Sequence, residues 1–528
     1  MNDPVEAADR AKFAYLASLL PGEYRRPLVN LALLCRSLTA LIVLLAASLA
    51  EAGSAADPFE FQTVASPART AAAELADFDG DGRTDLMSVT YSGMPPNETR
   101  EVRMHFQNPD GSLPESPSWT GPLPADAAVY DLADLPGSHA SELILLTGKG
   151  VAVLSFAGRN PTRRDFSIPD FSLIAVARDE RSLDRMMLVR SDMGPRPRIV
   201  VPGFGECAIL ETNGELVSRV EVSGRANFYM PPRPGPMISG SELEIHFDFP
   251  RLNTGDIDGD GRRDLIVADR HEVRIFLQRE DATFPRGADQ VLAVERVSED
   301  DHIRSSGNLA IDAADINGDK LADLVISHSG GGLFNPRSQT AIHLNHEGRF
   351  DLSDPDQVIT ARGGIATVQL VDIDRDGTVE LIEGRIPMGV LPLVEALITK
   401  DIDVEASVYH TSGGELFEAK PWFEVDFEIP FNFDTNRPMG FFPNNDADVN
   451  GDGHTDLLIS GNGNVIEVYP GGSNHFRKRV ARQKADSAGR LRFGDLNGDG
   501  LTDLMIYDPL RPDSPIRIGT NQGILPSE

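Results

Sequence analysis

The stretch Asp256-Ile-Asp258-Gly-Asp260-Gly-Arg-Arg-Asp264-Leu-Ile-Val is the one from which the fold can be read. Oxygen-bearing side chains stand at positions one, three, five and nine, with glycine at six and an apolar run directly after. Five more copies share this plan: Asp77, Asp79, Asp81, Asp85; Asp315, Asn317, Asp319, Asp323; Asp372, Asp374, Asp376, Glu380; Asp448, Asn450, Asp452, Asp456; and Asp495, Asn497, Asp499, Asp503. Calcium takes six to eight hard oxygen ligands in flexible geometry, and these side chains, with the carbonyl of position seven, can converge on one ion. Glycine at six permits the sharp turn. The apolar residue at position two points away and anchors the loop in a core. An EF-hand is excluded, since it needs an acid at position twelve and flanking helices. Here the acid is at nine and a strand follows, so each loop joins two strands. One such copy reads equally as an Asx-rich turn that binds nothing. Six copies with matched positions favour calcium, up to six ions. Lys320 in place of glycine and Arg375 at position four weaken two of the loops.

After each loop comes a stretch alternating at period two, such as Val273-Arg-Ile-Phe-Leu or Thr340-Ala-Ile-His-Leu, the mark of half-buried strands. The loops recur at intervals of about 60 residues, which is repeat architecture. The long gap between Asp77 and Asp256 should hold two more units. One is degenerate, keeping Asp134 and Glu142 at positions one and nine. The other, near Asp179 to Val189 and on into Ile199, has no loop. The predicted fold is all-β: a β-propeller of seven or eight four-stranded blades, with eight repeat units counted. A single small sheet cannot bury both faces, but radial stacking does so and leaves only short edges. The segment near Phe59 to Val64 should close the ring by pairing with the last unit.

These loops resemble those of the FG-GAP/VCBS repeat family, whose best-known members are the integrin α-subunit propellers. The resemblance spans about residues 57–528. It implies a seven-bladed propeller with calcium on one face, held by the residues at positions one, three, five and nine. Eight units, and the near absence of the name-giving Phe-Gly before the loops, depart from that pattern.

Composition limits the function classes. Of 528 residues 41% are hydrophobic and 25% charged, which suits a globular chain. The net charge of -32 argues against nucleic acid and anionic membranes as partners. The acids sit in regular clusters, which favours bound cations over an acidic tail. Cys35 and Cys207 are the only cysteines, so no disulfide framework and no cysteine zinc site exists. Arg25, Arg26 and Arg36 precede an apolar run at 38–50, and small residues follow. This is the order of a secretory signal peptide, with an uncleaved anchor as the alternative. Residues 1–56 are therefore read as a leader, 57–528 as the propeller, and the mature protein as secreted, periplasmic or on the cell surface, with no stable membrane span.

Two stretches exceed the unit length, near 222–250 and 384–446. Both carry aromatics, and Trp422 is the best candidate for an exposed contact; the alternative is edge strands packed on the rim. No nucleophile elbow, zinc-protease motif or phosphate loop is present, and the histidines show no metal pattern. The expectation is a monomeric binding module for an extracellular protein or polysaccharide, with structural calcium. The alternative is a propeller-type polysaccharide lyase or hydrolase acting through a basic cleft, to which Arg262 and Arg263 could contribute.

Overall fold

In the computed structural model the described residues lie within 57–525, apart from short intervals of which 169–182, 230–243 and 295–307 are the longest. The leader, with Cys35 and the run at 38–50, lies outside them, as do Asp179 and Asp374. The compact unit runs from Pro58 to Glu528.

Within each repeat the second strand decides the blade. Asp264–Ala268 and Asp503–Tyr507 are buried at every position, and Asp85–Ser92 at all but the last. After the opening aspartate the first two are continuous apolar runs and the third is apolar but for Ser88, Thr90 and Ser92, because each lies mid-sheet with another blade against either face. The fourth strands Trp119–Pro122 and Gln290–Ala293 alternate between half-buried and exposed, as edges should.

Eight antiparallel blades result. Their first strands are Arg69–Ala76, Val129–Asp134, Val189–Arg190, Arg251–Gly255, Asn308–Ala314, Gly364–Val371, Asn444–Ala447 and Arg490–Gly494. First strands of neighbouring blades approach one another, so they form the inner wall of the ring. The count is one more than the resemblance implies. Eight repeat units gave eight blades, including the two without a complete loop. The closing strand is Phe59–Val64, antiparallel to Ile516–Asn521, with Phe59 opposite Asn521 and Val64 opposite Ile516. The core is accordingly a series of layers between blades. One layer joins Phe78, Met87 and Val89 of the first blade to Tyr130, Leu143 and Leu145 of the second. Another joins Val64, Met505 and Ile518 of the last blade to Ala73 and Leu86 of the first.

The interval 384–446 contains the third and fourth strands of the sixth blade, Asp401–Tyr409 and Phe423–Asn432. Trp422 is not an exposed contact. It is half-buried at the entry to the fourth strand, its amide donating to the Val408 carbonyl at 2.7 Å and its ring 5.6 Å from that of His410. The interval 222–250 holds a separate hairpin, Arg225–Tyr229 with Glu244–Asp248. Among the described residues no helix is long and apolar enough to cross a membrane.

Candidate metal loops

Each Asp-rich loop links the first and second strands of its blade, so all six stand in equivalent places. The anchor at position two is buried throughout: Phe78, Ile257, Ile316, Ile373, Val449 and Leu496. The carboxylate at position one folds the turn. In the first loop Asp77 accepts the amides of Gly80 at 2.7 Å and Gly82 at 2.8 Å, and Asp256, Asp315, Asp448 and Asp495 repeat both bonds. Position three accepts the amide of position five, and five that of seven. Where position three is asparagine, its amide nitrogen also donates to the position-five carboxylate: Asn317 to Asp319, Asn450 to Asp452 and Asn497 to Asp499.

Carboxylate oxygens of Asp77, Asp79 and Asp85 lie within 4.8 Å of one another, as do those of Asp256, Asp258 and Asp260. Asp81 is drawn to Arg83 instead, and Asp260 also pairs with Arg262. Asp372 Oδ1 is buried without a hydrogen-bond partner among the described residues.

Position six has positive φ in every loop, and only Lys320 there carries a side chain, at φ +75°. The left-handed region costs a side-chain-bearing residue about 1–2 kcal/mol, partly offset by the extra freedom glycine has when unfolded. Lys320→Gly is expected to stabilise the protein by about 0.5–1 kcal/mol in urea denaturation; a loss of stability would show that the lysine side chain matters more than its backbone.

The acid at position nine is fully buried and ties its loop to the end of the third strand. Asp85 accepts the amides of Phe78 at 3.0 Å and Gln107 at 2.8 Å. The same pair of bonds recurs at Asp264, Asp323, Asp456 and Asp503. Burial pushes the carboxyls of Asp85, Asp264, Asp323 and Asp456 up to about 6; the two amides pull down, and the acids at the other loop positions push up again. With its folded pKa above the unfolded 3.8, each such group weakens the fold as pH rises from about 4 to about 6, because the unfolded chain releases its proton first. A cation in the loop opposes that trend.

Sequence reading missed a second set of residues. The side chains of Gln107, Gln278, Asn345 and Asn521, whose own amides bind position nine, reach back to the preceding blade. They donate to the carbonyls of Leu496 at 2.6 Å, Met193 at 3.0 Å, Ile257 at 3.0 Å and Val449 at 2.7 Å. Loops also touch directly. The position-one carbonyls of Asp77, Asp256 and Asp448 accept the amides of Ser141, Ala322 and Thr502, each at position eight of the next blade's loop. Thr84 Oγ1 closes the circle on the Asp495 carbonyl at 2.6 Å. The signal in the sequence was an amide residue ending the third strand, but its distance from the loop varies too much to show as a motif. Arg159 was missed as well. It comes from the second blade, at φ +63°, and its Nε donates to Asp79 at 2.6 Å while Nη2 lies 3.3 Å from Asp81.

The family described as "FG-GAP-like repeat" matches residues 256–326 and 448–506, segments that contain four of the six loops. The chain carries FG-GAP-like repeats. Those loops lie in the fourth, fifth, seventh and eighth blades of this FG-GAP-repeat propeller. No curated protein matches the chain. Solved structures similar to it include an Agrocybe aegerita lectin specific for non-reducing terminal N-acetylglucosamine, at 15% identity over 85% of each chain with a TM-score of 0.36. Another is the V. cholerae biofilm matrix protein Bap1, at 11% identity over 86% of this chain and 88% of that one, TM-score 0.39.

Proposed function

We propose that the protein is an exported FG-GAP-repeat propeller whose loops bind structural calcium, up to six ions, and which serves as a binding module for an extracellular protein or polysaccharide. The observation that carries the calcium reading is the gathering of carboxylate oxygens within 4.8 Å in the loops of the first and fourth blades, on a donor set made of oxygen alone. Asp372 Oδ1, buried with no hydrogen-bond partner among the described residues, supports it in the loop of the sixth blade. Positions one, three, five and nine would hold the ion, which would supply positive charge against the 21 acids of the six loops. Export rests on the basic, apolar and small-residue order of the leader. A ring that buries its own blade faces needs no second copy, which supports a monomer.

The six loops are not equivalent. In the first, the Arg159 guanidinium already answers Asp79 and Asp81, so calcium must displace it. Calorimetric titration of metal-stripped protein is expected to resolve several calcium sites, with that of the first loop among the weaker ones. Arg159→Gln should tighten that site severalfold and leave the others unchanged. Absence of any calcium uptake would refute the proposed role of the loops.

A further inference from the structure

The inner wall of the ring, where the third, fourth and fifth blades meet, holds an open cavity of about 730 Å³. Arg190, Arg251 and Arg263 line it against a single carboxylate, Asp192. That balance runs against a chain of net charge -32. Arg190 and Asp192 neutralise each other: Nε and Nη2 donate to the carboxylate at 2.9 and 2.7 Å, and Nη1 donates to the Leu252 carbonyl at 2.9 Å. Thr254 Oγ1 donates to the same carboxylate, which is thereby held as a fixed anion and not left free to quench its neighbours. Among the described residues Arg263 has no acidic partner. Its Nη2 donates to the Thr254 carbonyl at 3.0 Å, and that bond fixes its direction. Arg251 is half-exposed and lies 3.5 Å from Asp312.

The cavity thus has two guanidinium groups with donors to spare. Beside them stands Met187, 65% exposed. Guanidinium groups recognise carboxylates through paired N–H donors, and an apolar wall suits the face of a ring. The volume falls within the range of small-ligand pockets. We propose that this cavity binds a carboxylate-bearing sugar, its carboxylate on Arg251 and Arg263 and its ring against Met187. The site rests on the binding-module reading for its ligand class; Arg263 is position eight of the fourth blade's loop, but its side-chain bonds run to Thr254 and not to the loop's carboxylates.

The test is calorimetry at low salt with glucuronate, oligoglucuronate and, as the uncharged control, glucose. Glucuronate is expected to bind and glucose not. Arg251→Gln with Arg263→Gln should weaken binding at least tenfold, while Arg263→Lys, which keeps the charge, loses less. Oligoglucuronate binding more tightly than the monomer identifies the chain end of a polymer as the source; equal affinity identifies the free sugar acid. Binding of glucose as tight as glucuronate, binding unchanged in the double variant, or no uronate binding at all overturns the proposal. If a glycan array retains its signals in the double variant, the module reading stands and the cavity alone fails. An unchanged melting temperature shows that the variants still fold.

Discussion

Removal of residues 1–65, and with them the strand Phe59–Val64, is expected to abolish cooperative folding. The strand completes the last blade along the whole of Ile516–Asn521. It buries Phe59 and Val64, which are 2% and 4% exposed. It also reaches the seventh blade, where Gln483 accepts from the Phe59 amide at 2.9 Å and donates to its carbonyl at 2.7 Å. Each buried large apolar side chain contributes about 1.5–3 kcal/mol and each net hydrogen bond about 0.5–1.5 kcal/mol. Together the loss is on the order of 5–10 kcal/mol, comparable with the whole net stability of a typical protein. The truncated chain should show a broad, low-temperature transition by circular dichroism, and a peptide of residues 57–66 should restore part of the sharp one. A truncated chain melting with the full one would mean that the ring is not held by this closure.

The second large effect belongs to Glu74 on the inner wall. Its side chain is 3% exposed and accepts Arg492 Nε at 2.9 and 3.0 Å, Arg185 Nη1 at 2.8 Å and the Tyr130 hydroxyl at 2.5 Å. Those partners come from the eighth blade, from a two-residue strand added in parallel to the second blade, and from that blade's first strand. One carboxylate therefore pins three blades across the closing seam. Burial, and then the nearby Glu74 charge, push the Tyr130 hydroxyl far above its usual range, so it stays a donor. Removing one member of a buried ion pair costs about 3–5 kcal/mol, since the partner charge is left unanswered. Glu74→Ala should lower the urea midpoint accordingly, and Tyr130→Phe by the equivalent of about 1–2 kcal/mol. Adding Arg492→Leu to Glu74→Ala should recover part of the loss. A change below about 1 kcal/mol for Glu74→Ala would show the cluster to be solvated and idle.

Much of this architecture was legible because the repeat carries its own register. The apolar residue at position two and the run after position nine mark the start of each second strand, and six such marks placed six blades. The degenerate Asp134 to Glu142 stretch and the strands around Ile199 supplied the other two by strand pattern alone. Closure by Phe59 to Val64 was legible because the last unit is one strand short. Other features depend on which blade lies next to which, and no local pattern encodes that. The reach of Asn345 or Asn521 to the preceding loop is of this kind, as are Arg159 over Asp79 and the bond from Thr254 to Asp192 of the third blade. Trp422 was misjudged for a related reason: an aromatic in a long interval reads as an insert until the interval proves to hold blade strands.

The account rests on the loops holding calcium as part of the fold. Thermal unfolding of the protein with calcium in excess and then with excess chelator tests this most directly. A site filled at a hundredfold over its dissociation constant adds about 2.7 kcal/mol, so several sites together should raise the midpoint by on the order of 10 °C or more. A chelator-induced fall of that size is the expected result. Coincident melting curves would contradict the account, leaving a propeller whose Asp loops are turns and nothing more.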